Sequence, residues 1–321
     1  MEKTTGIRFS IIVPTHNRPE MLHQLLDSIR IQNFDAGAWE ILVVDNAPDD
    51  EQTKELVERF QSEFPQWNLR YVREPEKGMM RARNRGVAEA RGDVLIFLDD
   101  DVLLHQDYME RAQAELPGLA PPFAGGGRII PVFEHQKPPW LTKFFMPLLA
   151  EINLGEQLRL FPKKRYPFGI NMLVHRSVFD RFGLFPVQEA RRGEDWLSIP
   201  ERRFFAQLKE ENIPIYYLPN LTVWHLLPAH YARKRHIRRQ AEIHYRMELA
   251  DKRAFHGWRL LRTWGREGLK WVATLGVGFY YLMTTQWEKI KPVFQYRFWI
   301  SHLLLRCSLG KERCSQIEKT M

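Results

Sequence analysis

The chain has 321 residues, 44% hydrophobic and 27% charged, which excludes a disordered chain and leaves room for one large domain with an appendage or for two domains. Its two cysteines, Cys307 and Cys314, cannot build a disulfide framework and are too few for a zinc site, which points to a reducing compartment. The net charge is +8, and residues 251–321 hold 13 Lys+Arg against 5 Asp+Glu, so the whole excess sits in this tail.

The opening MEKTTGIRFSIIVP has neither a long apolar core nor a cleavage signature, so no signal peptide is expected. FSIIVP (9–14) reads as a buried strand, and Thr15 or Asn17 then caps a helix to about Ile31, with Pro19 in its first turn. WEILVVDN (39–46) is a second strand. Asp49, Asp50 and Glu51 open a second helix, with Leu56, Val57 and Phe60 at helical spacing. LRYVRE (69–74) is a third strand, a helix runs from about Met79 to Ala90, and VLIFL (94–98) is a fourth strand. This alternation predicts an α/β domain with a mostly parallel central sheet. Neither GxGxxG nor GxxxxGK[ST] occurs, so the usual dinucleotide and P-loop signatures are missing. Residues 118–168 are rich in Gly and Pro and read as strand and loop. A short helix is expected over 174–186 and a longer one over 197–211, short strands at IPIYYLP and LTVWH, and basic helices after about 230.

VLIFL runs into Asp99, Asp100 and Asp101, three adjacent carboxylates that repel one another. In open α/β sheets, ligands bind at the carboxyl ends of the strands. FSIIV ends in PTHNR and WEILVV in Asp45, so three strand ends bring polar groups to one edge. Two readings remain for the acids. A divalent cation, Mg²⁺ or Mn²⁺, relieves the repulsion together with substrate phosphates; alternatively the acids cap a helix starting near Val102–Tyr108.

PTHNR, VVDN, ARNRG and FLDDD, followed by FGINMLVHRSVFDRFGLF and GEDW (193–196), occur in an order that resembles the family 2 glycosyltransferases and their GT-A fold. The resemblance covers about 8–230. It implies that Thr15, Asp45 and Arg83 hold the base and ribose of a nucleotide, usually uridine. It implies that Asp99 and Asp101 form the DxD pair, with Asp101 on the metal and Asp99 on the ribose or the metal shell. Asp195 matches the catalytic base, beside Glu194 on the acceptor side, and Asn171 falls in the acceptor segment. His225 matches a position near the diphosphate or metal. Lys77 or Arg81 can assist the departing diphosphate by charge-assisted hydrogen bonds. Each residue also has a structural reading: a turn for Asp45, a solvated helix face for Arg81, Arg83 and Arg85, a helix start for Glu194 and Asp195, a satisfied structural group for His225, and a buried turn amide for Asn171.

The expected function is a metal-dependent inverting transfer of one sugar from a nucleotide-sugar donor, UDP first, to a saccharide or lipid-linked acceptor. Cell-surface glycan assembly is the natural setting. Gln-x-x-Arg-Trp, the mark of the processive members, is absent. A sugar nucleotidyltransferase and an inactive nucleotide-binding membrane scaffold are the alternatives.

Residues 1–230 are expected to form the catalytic domain and 231–321 a helical extension. The extension holds five of the ten tryptophans and an uncharged stretch, WVATLGVGFYYLMTTQW (271–287), at the lower length limit for a membrane span. Basic and aromatic flanks favour a helix lying on the cytoplasmic membrane face over a single span, with a soluble helical cap as the third reading. RKRHIRRQ (233–240) can meet lipid phosphates or a lipid-linked diphosphate, and no nucleic-acid partner is expected.

Overall fold

A computed structural model describes residues 8–47, 51–187, 199–250 and 258–308. The calls on Asp195 and Glu194 lie outside the described residues, as do Asp49 and Asp50. In chain order the elements are β1 (Phe9–Thr15), α1 (Pro19–Arg30), β2 (Trp39–Asp45), α2 (Gln52–Glu63), β3 (Leu69–Arg73), α3 (Met79–Glu89), β4 (Val94–Leu98), β5 (Val102–Leu104) and α4 (Tyr108–Glu115). They continue as β6 (Ala124–Phe133), β7 (Arg159–Leu160), β8 (Asn171–His175), α5 (Arg176–Phe182), α6 (Ile199–Glu210), β9 (Ile215–Leu227), α7 (Lys234–Ala250), α8 (Trp258–Met283) and α9 (Trp287–Ser308). Contacts group the chain into two units: 1–132, 152–190 and 198–226, and 133–151, 191–197 and 227–321.

The first unit is built on a sheet of order β3-β2-β1-β4-β8-β6-β9-β5, with β7 on β9. The β3-β2-β1-β4 half is parallel, as the βαβ alternation predicts, whereas β8 runs antiparallel to both β4 and β6. Every residue of β1, β2 and β4 is buried, which is why these strands read as continuous apolar runs. At the start of this sheet the fully buried Glu40 is satisfied by the Ser10 hydroxyl at 2.6 Å, by Arg70 at 3.1 Å and by the Arg91 amide. That network closes the sheet end opposite the three acids and compensates the burial of a charge.

Several expectations change. The helix expected over 174–186 runs only over Arg176–Phe182, and Val174 and His175 instead close β8, NMLVH. A five-residue apolar run carries no periodicity that separates a buried strand from a buried helix. IPIYYLP and LTVWH are one strand, β9. Pro219 interrupts the sequence pattern between Tyr216–Tyr217, which pair with β7, and Val223–His225, which pair with β5. The N-cap position of α1 is Arg18, not Thr15 or Asn17; Thr15 is still the last residue of β1.

In the second unit, Leu141, Phe145, Met146, Ile237 and Val293 form one apolar cluster, and Ala241, Tyr245, Ile300, Leu303 and Leu304 another. Part of the basic run is used internally: Arg238 donates to Glu242 at 2.9 Å and lies over the Trp299 ring. The uncharged 271–287 stretch is not one helix. α8 ends at Met283, Thr285 takes φ 56°, and α9 starts at Trp287. No helix among the described residues is long and apolar enough to cross a membrane, so the single-span reading falls.

Candidate active site

Parallel pairing of β1 with β2 places Thr15 opposite Asp45, and β4 ends beside them at Leu98. The chain then passes through the three acids and turns at once into β5, whose Val102 pairs with His225 on β9. The Leu226 amide donates to the Asp101 carbonyl at 2.8 Å, which fixes the acid loop against β9. The helix-capping reading of the acids therefore fails: 102–104 is strand, and α4 starts only at Tyr108.

The three acids have different surroundings. Asp99 is partly open and accepts from Arg83 at 2.8 Å. Asp100 is buried; it accepts from the Thr15 hydroxyl at 2.7 Å and from Arg18 at 3.2 Å. Asp101 accepts from the same Arg18 nitrogen, Nη1, at 3.0 Å through Oδ2. Its other oxygen, Oδ1, is buried without a hydrogen-bond partner, and His225 Nε2 lies 3.7 Å away. Burial, and then the charge of Asp101, push the Asp100 carboxyl up to about 7. Burial and the charge of Asp99 move Asp101 in the same direction.

Around the acids lies a shell of side chains whose roles differ. Asp45 is buried; its Oδ1 accepts from the Ala47 amide and its Oδ2 from the Tyr71 hydroxyl, both at 2.9 Å. Burial and this contact raise the Tyr71 phenol, which keeps it a donor. Arg83 is fully buried between Asp99 and Glu201, and its charge is favoured by that pair against the cost of burial. A Cβ at Gly169 would stand 2.1 Å from Arg83 Nη2, so only glycine lets the backbone pass the guanidinium. Arg83 therefore reaches the acids from inside the protein, through Asp99. Asn171 is also fully buried: its Oδ1 accepts from Tyr108 at 2.8 Å, and its Nδ2 donates to the carbonyls of Leu221 at 2.8 Å and Arg128 at 3.2 Å. This is the buried-amide arrangement, and it ties β8 to β6 and β9. Arg81 pairs with Glu76 at 2.6 Å, Arg85 with Glu89 at 2.9 Å, and Lys77 is exposed in the loop before α3.

Three residues of this region were not singled out from the sequence. Asn46 donates to the Glu74 and Glu76 carbonyls at 3.0 and 2.8 Å and accepts from the Gly78 amide at 2.7 Å, so it holds the loop that carries Lys77. It follows Asp45 in VVDN, which was its only signal. Arg18 lies in PTHNR, but nothing local announces that it meets the acids. Glu201 is 118 positions from Arg83, and only the fold pairs them.

The site residues fit a divalent cation in one respect: a buried carboxylate oxygen, Asp101 Oδ1, accepts no hydrogen bond and has the His225 imidazole 3.7 Å away, among hard oxygen donors. Among the described residues no three His, Cys, Asp or Glu side chains form a ready metal cage.

The chain is 31% identical over 117 residues to glycosyltransferase AglE of Haloferax volcanii, covering 36% of this chain and 38% of AglE. The matched stretch thus spans less than two fifths of that relative. Over 211 residues it is 22% identical to the glucosyl-dolichyl phosphate glucuronosyltransferase of the same organism, covering 64% of each chain. The fold matches the solved mannosyltransferase PcManGT of Pyrobaculum calidifontis, in complex with GDP-Man and Mn²⁺, with a TM-score of 0.58 at 19% identity over 96% of this chain and 89% of that one. Residues 10–183, more than half of the sequence, match Glycosyl transferase family 2, and the chain belongs to that family.

Proposed function

We propose that this enzyme is metal-dependent and inverting, and moves one sugar from a nucleotide-sugar donor to a saccharide or lipid-linked acceptor at a membrane surface, in the assembly of cell-surface glycans. The buried Asp101 Oδ1, which accepts no hydrogen bond and lies beside His225 at the strand edge shared with Thr15 and Asp45, is the observation that carries the reading. A carboxylate oxygen left buried and unsatisfied costs free energy unless a cation meets it during function. The Mn²⁺ and GDP-Man in PcManGT support a divalent cation and a nucleotide-sugar donor, and the named dolichyl substrate of the glucuronosyltransferase supports a lipid-linked acceptor.

In this reading Asp101 and His225 hold the cation, with Asp99 in its shell, and Thr15 and Asp45 face the nucleoside. Arg83 holds Asp99 in place from behind. The cation, when bound, supplies Lewis-acid stabilisation to the departing diphosphate. Lys77 and Arg81 add charge-assisted hydrogen bonds to the same phosphates. The acceptor hydroxyl oxygen attacks the anomeric carbon from the face opposite the diphosphate, and the sugar–phosphate C–O bond breaks with its electron pair leaving on the phosphate. The proton of the hydroxyl passes to the Asp195 carboxylate, with Glu194 beside it. One displacement inverts the anomeric centre, and no second carboxylate nucleophile is required.

The test incubates the protein with UDP- and GDP-sugars, a lipid-phosphate or saccharide acceptor, and either Mn²⁺ or a chelator. The reading predicts a glycosylated acceptor of inverted anomeric configuration with metal only. Product of retained configuration, or equal turnover in chelator, contradicts it.

A further inference from the structure

Helix α8 carries apolar residues on two sides, one packed on α9 and one exposed. Its side towards α9 mixes polar and small residues with Trp271, Val277 and Tyr281. Glu267 is buried and meets Arg297 at 3.3 Å and Lys270 at 2.7 Å, Thr274 accepts from Arg297 at 3.3 Å, and a Cβ at Gly278 would lie 2.5 Å from the Phe294 ring. Its opposite side is apolar and open: Leu269 is 71% exposed, Val272 66%, Leu275 56%, Phe279 62% and Met283 61%. These positions fall at spacings of three and four and form one stripe, with Gly276 open within it and Gly265 and Gly268 open just before it. A helix packed as a soluble cap would turn this stripe inward.

Charge decides what covers the stripe. Arg262 and Arg266, both exposed, flank its N-terminal half. Glu267 is the one acidic residue of α8, and it is committed to the inner side. A second copy of the helix would therefore offer these arginines no carboxylate, whereas an anionic headgroup layer offers many. Because α8 is not apolar enough to span a bilayer, the stripe fits a helix lying in the interface plane.

We propose that the Leu269–Met283 face of α8 is the surface by which the enzyme seats on a bilayer carrying anionic lipids, with Arg262 and Arg266 at the headgroups. This rests on the membrane reading given above and assigns it to one face of one helix.

The experiment floats the full chain with phosphatidylcholine vesicles, with and without phosphatidylglycerol. It compares wild type, a double variant Val272→Glu/Phe279→Glu and a double variant Arg262→Glu/Arg266→Glu, each with a circular dichroism spectrum and a light-scattering mass. The proposal predicts that wild type floats with the anionic vesicles, that the glutamate stripe variant partitions roughly tenfold less with an unchanged spectrum, and that the arginine variant loses the preference for phosphatidylglycerol. Equal flotation of wild type and stripe variant leaves the membrane reading standing and overturns the assignment to α8. Wild type that floats with neither vesicle overturns both. A wild-type dimer that the stripe substitutions turn into a monomer, without vesicle binding, makes the face a contact between copies and also overturns the proposal.

Discussion

Arg83 Nη2 donates to Asp99 Oδ1 at 2.8 Å from a position with no solvent exposure, so one member of the acid loop is anchored from within the core. The other side of the guanidinium is held by Glu201. Removing one partner of a buried charged pair costs about 3–5 kcal/mol, because the remaining charges stay buried. Arg83→Met is therefore expected to lower unfolding stability by that order in a denaturant titration. Arg83→Lys keeps the charge but loses the two-sided fork, and is expected to fall between the two. Stability of Arg83→Met equal to wild type would contradict the anchoring role.

Arg18 bridges Asp100 and Asp101, and so places a cationic group on the carboxylates that the functional reading gives to a metal. Cation and guanidinium then compete. Arg18→Met is expected to bind Mn²⁺ alone more tightly, by roughly tenfold for the loss of one charge-assisted contact. It should also melt lower without metal, because the acids repel. Isothermal titration with Mn²⁺ and a melting curve check both; an unchanged metal affinity would mean the contact is incidental.

The raised Asp100 and Asp101 carboxyls make the metal-free protein pH-sensitive. An acid whose pKa is higher when folded holds its proton in the folded state while the unfolded chain releases it. That stability is complete below the unfolded value and disappears as pH rises between about 4 and about 7. The melting temperature of metal-free wild type should therefore fall across this window by more than that of Asp100→Asn. A parallel pH course in the two proteins would show that Asp100 is not the source.

Asp195→Asn tests the base. It should lower transfer by about 10²–10⁴-fold while nucleotide affinity stays near wild type, since the amide cannot accept the acceptor's proton. Transfer at the wild-type rate would remove Asp195 from the mechanism.

Sequence order made the parallel half of the fold legible, because β1, β2 and β4 are buried throughout and follow one another with helices between. The same strand ends pointed to Thr15, Asp45 and the acids at one edge; the register of β1 on β2 sets Thr15 opposite Asp45, and the Thr15 hydroxyl bonds Asp100. β8 was hidden because NMLVH is too short for its period to show, and Pro219 disguised β9 as two strands. The contacts that shape the acids were illegible for a different reason. Arg18 and Asp100 are 82 positions apart, Arg83 and Glu201 118, and no local pattern records a charge pair that only the closed sheet creates. The exposure of the Leu269–Met283 stripe of α8 was illegible too, since a stripe of apolar residues reads the same whether it turns inward or outward.

The most direct measurement is a calorimetric titration of wild type and Asp101→Asn with UDP and with GDP, each with and without Mn²⁺. The account predicts that one nucleoside diphosphate binds wild type tightly only with Mn²⁺, and that Asp101→Asn loses the metal-dependent part. Nucleotide binding that is indifferent to Mn²⁺, or equally strong in the variant, would contradict it and return Asp101 to a purely structural role.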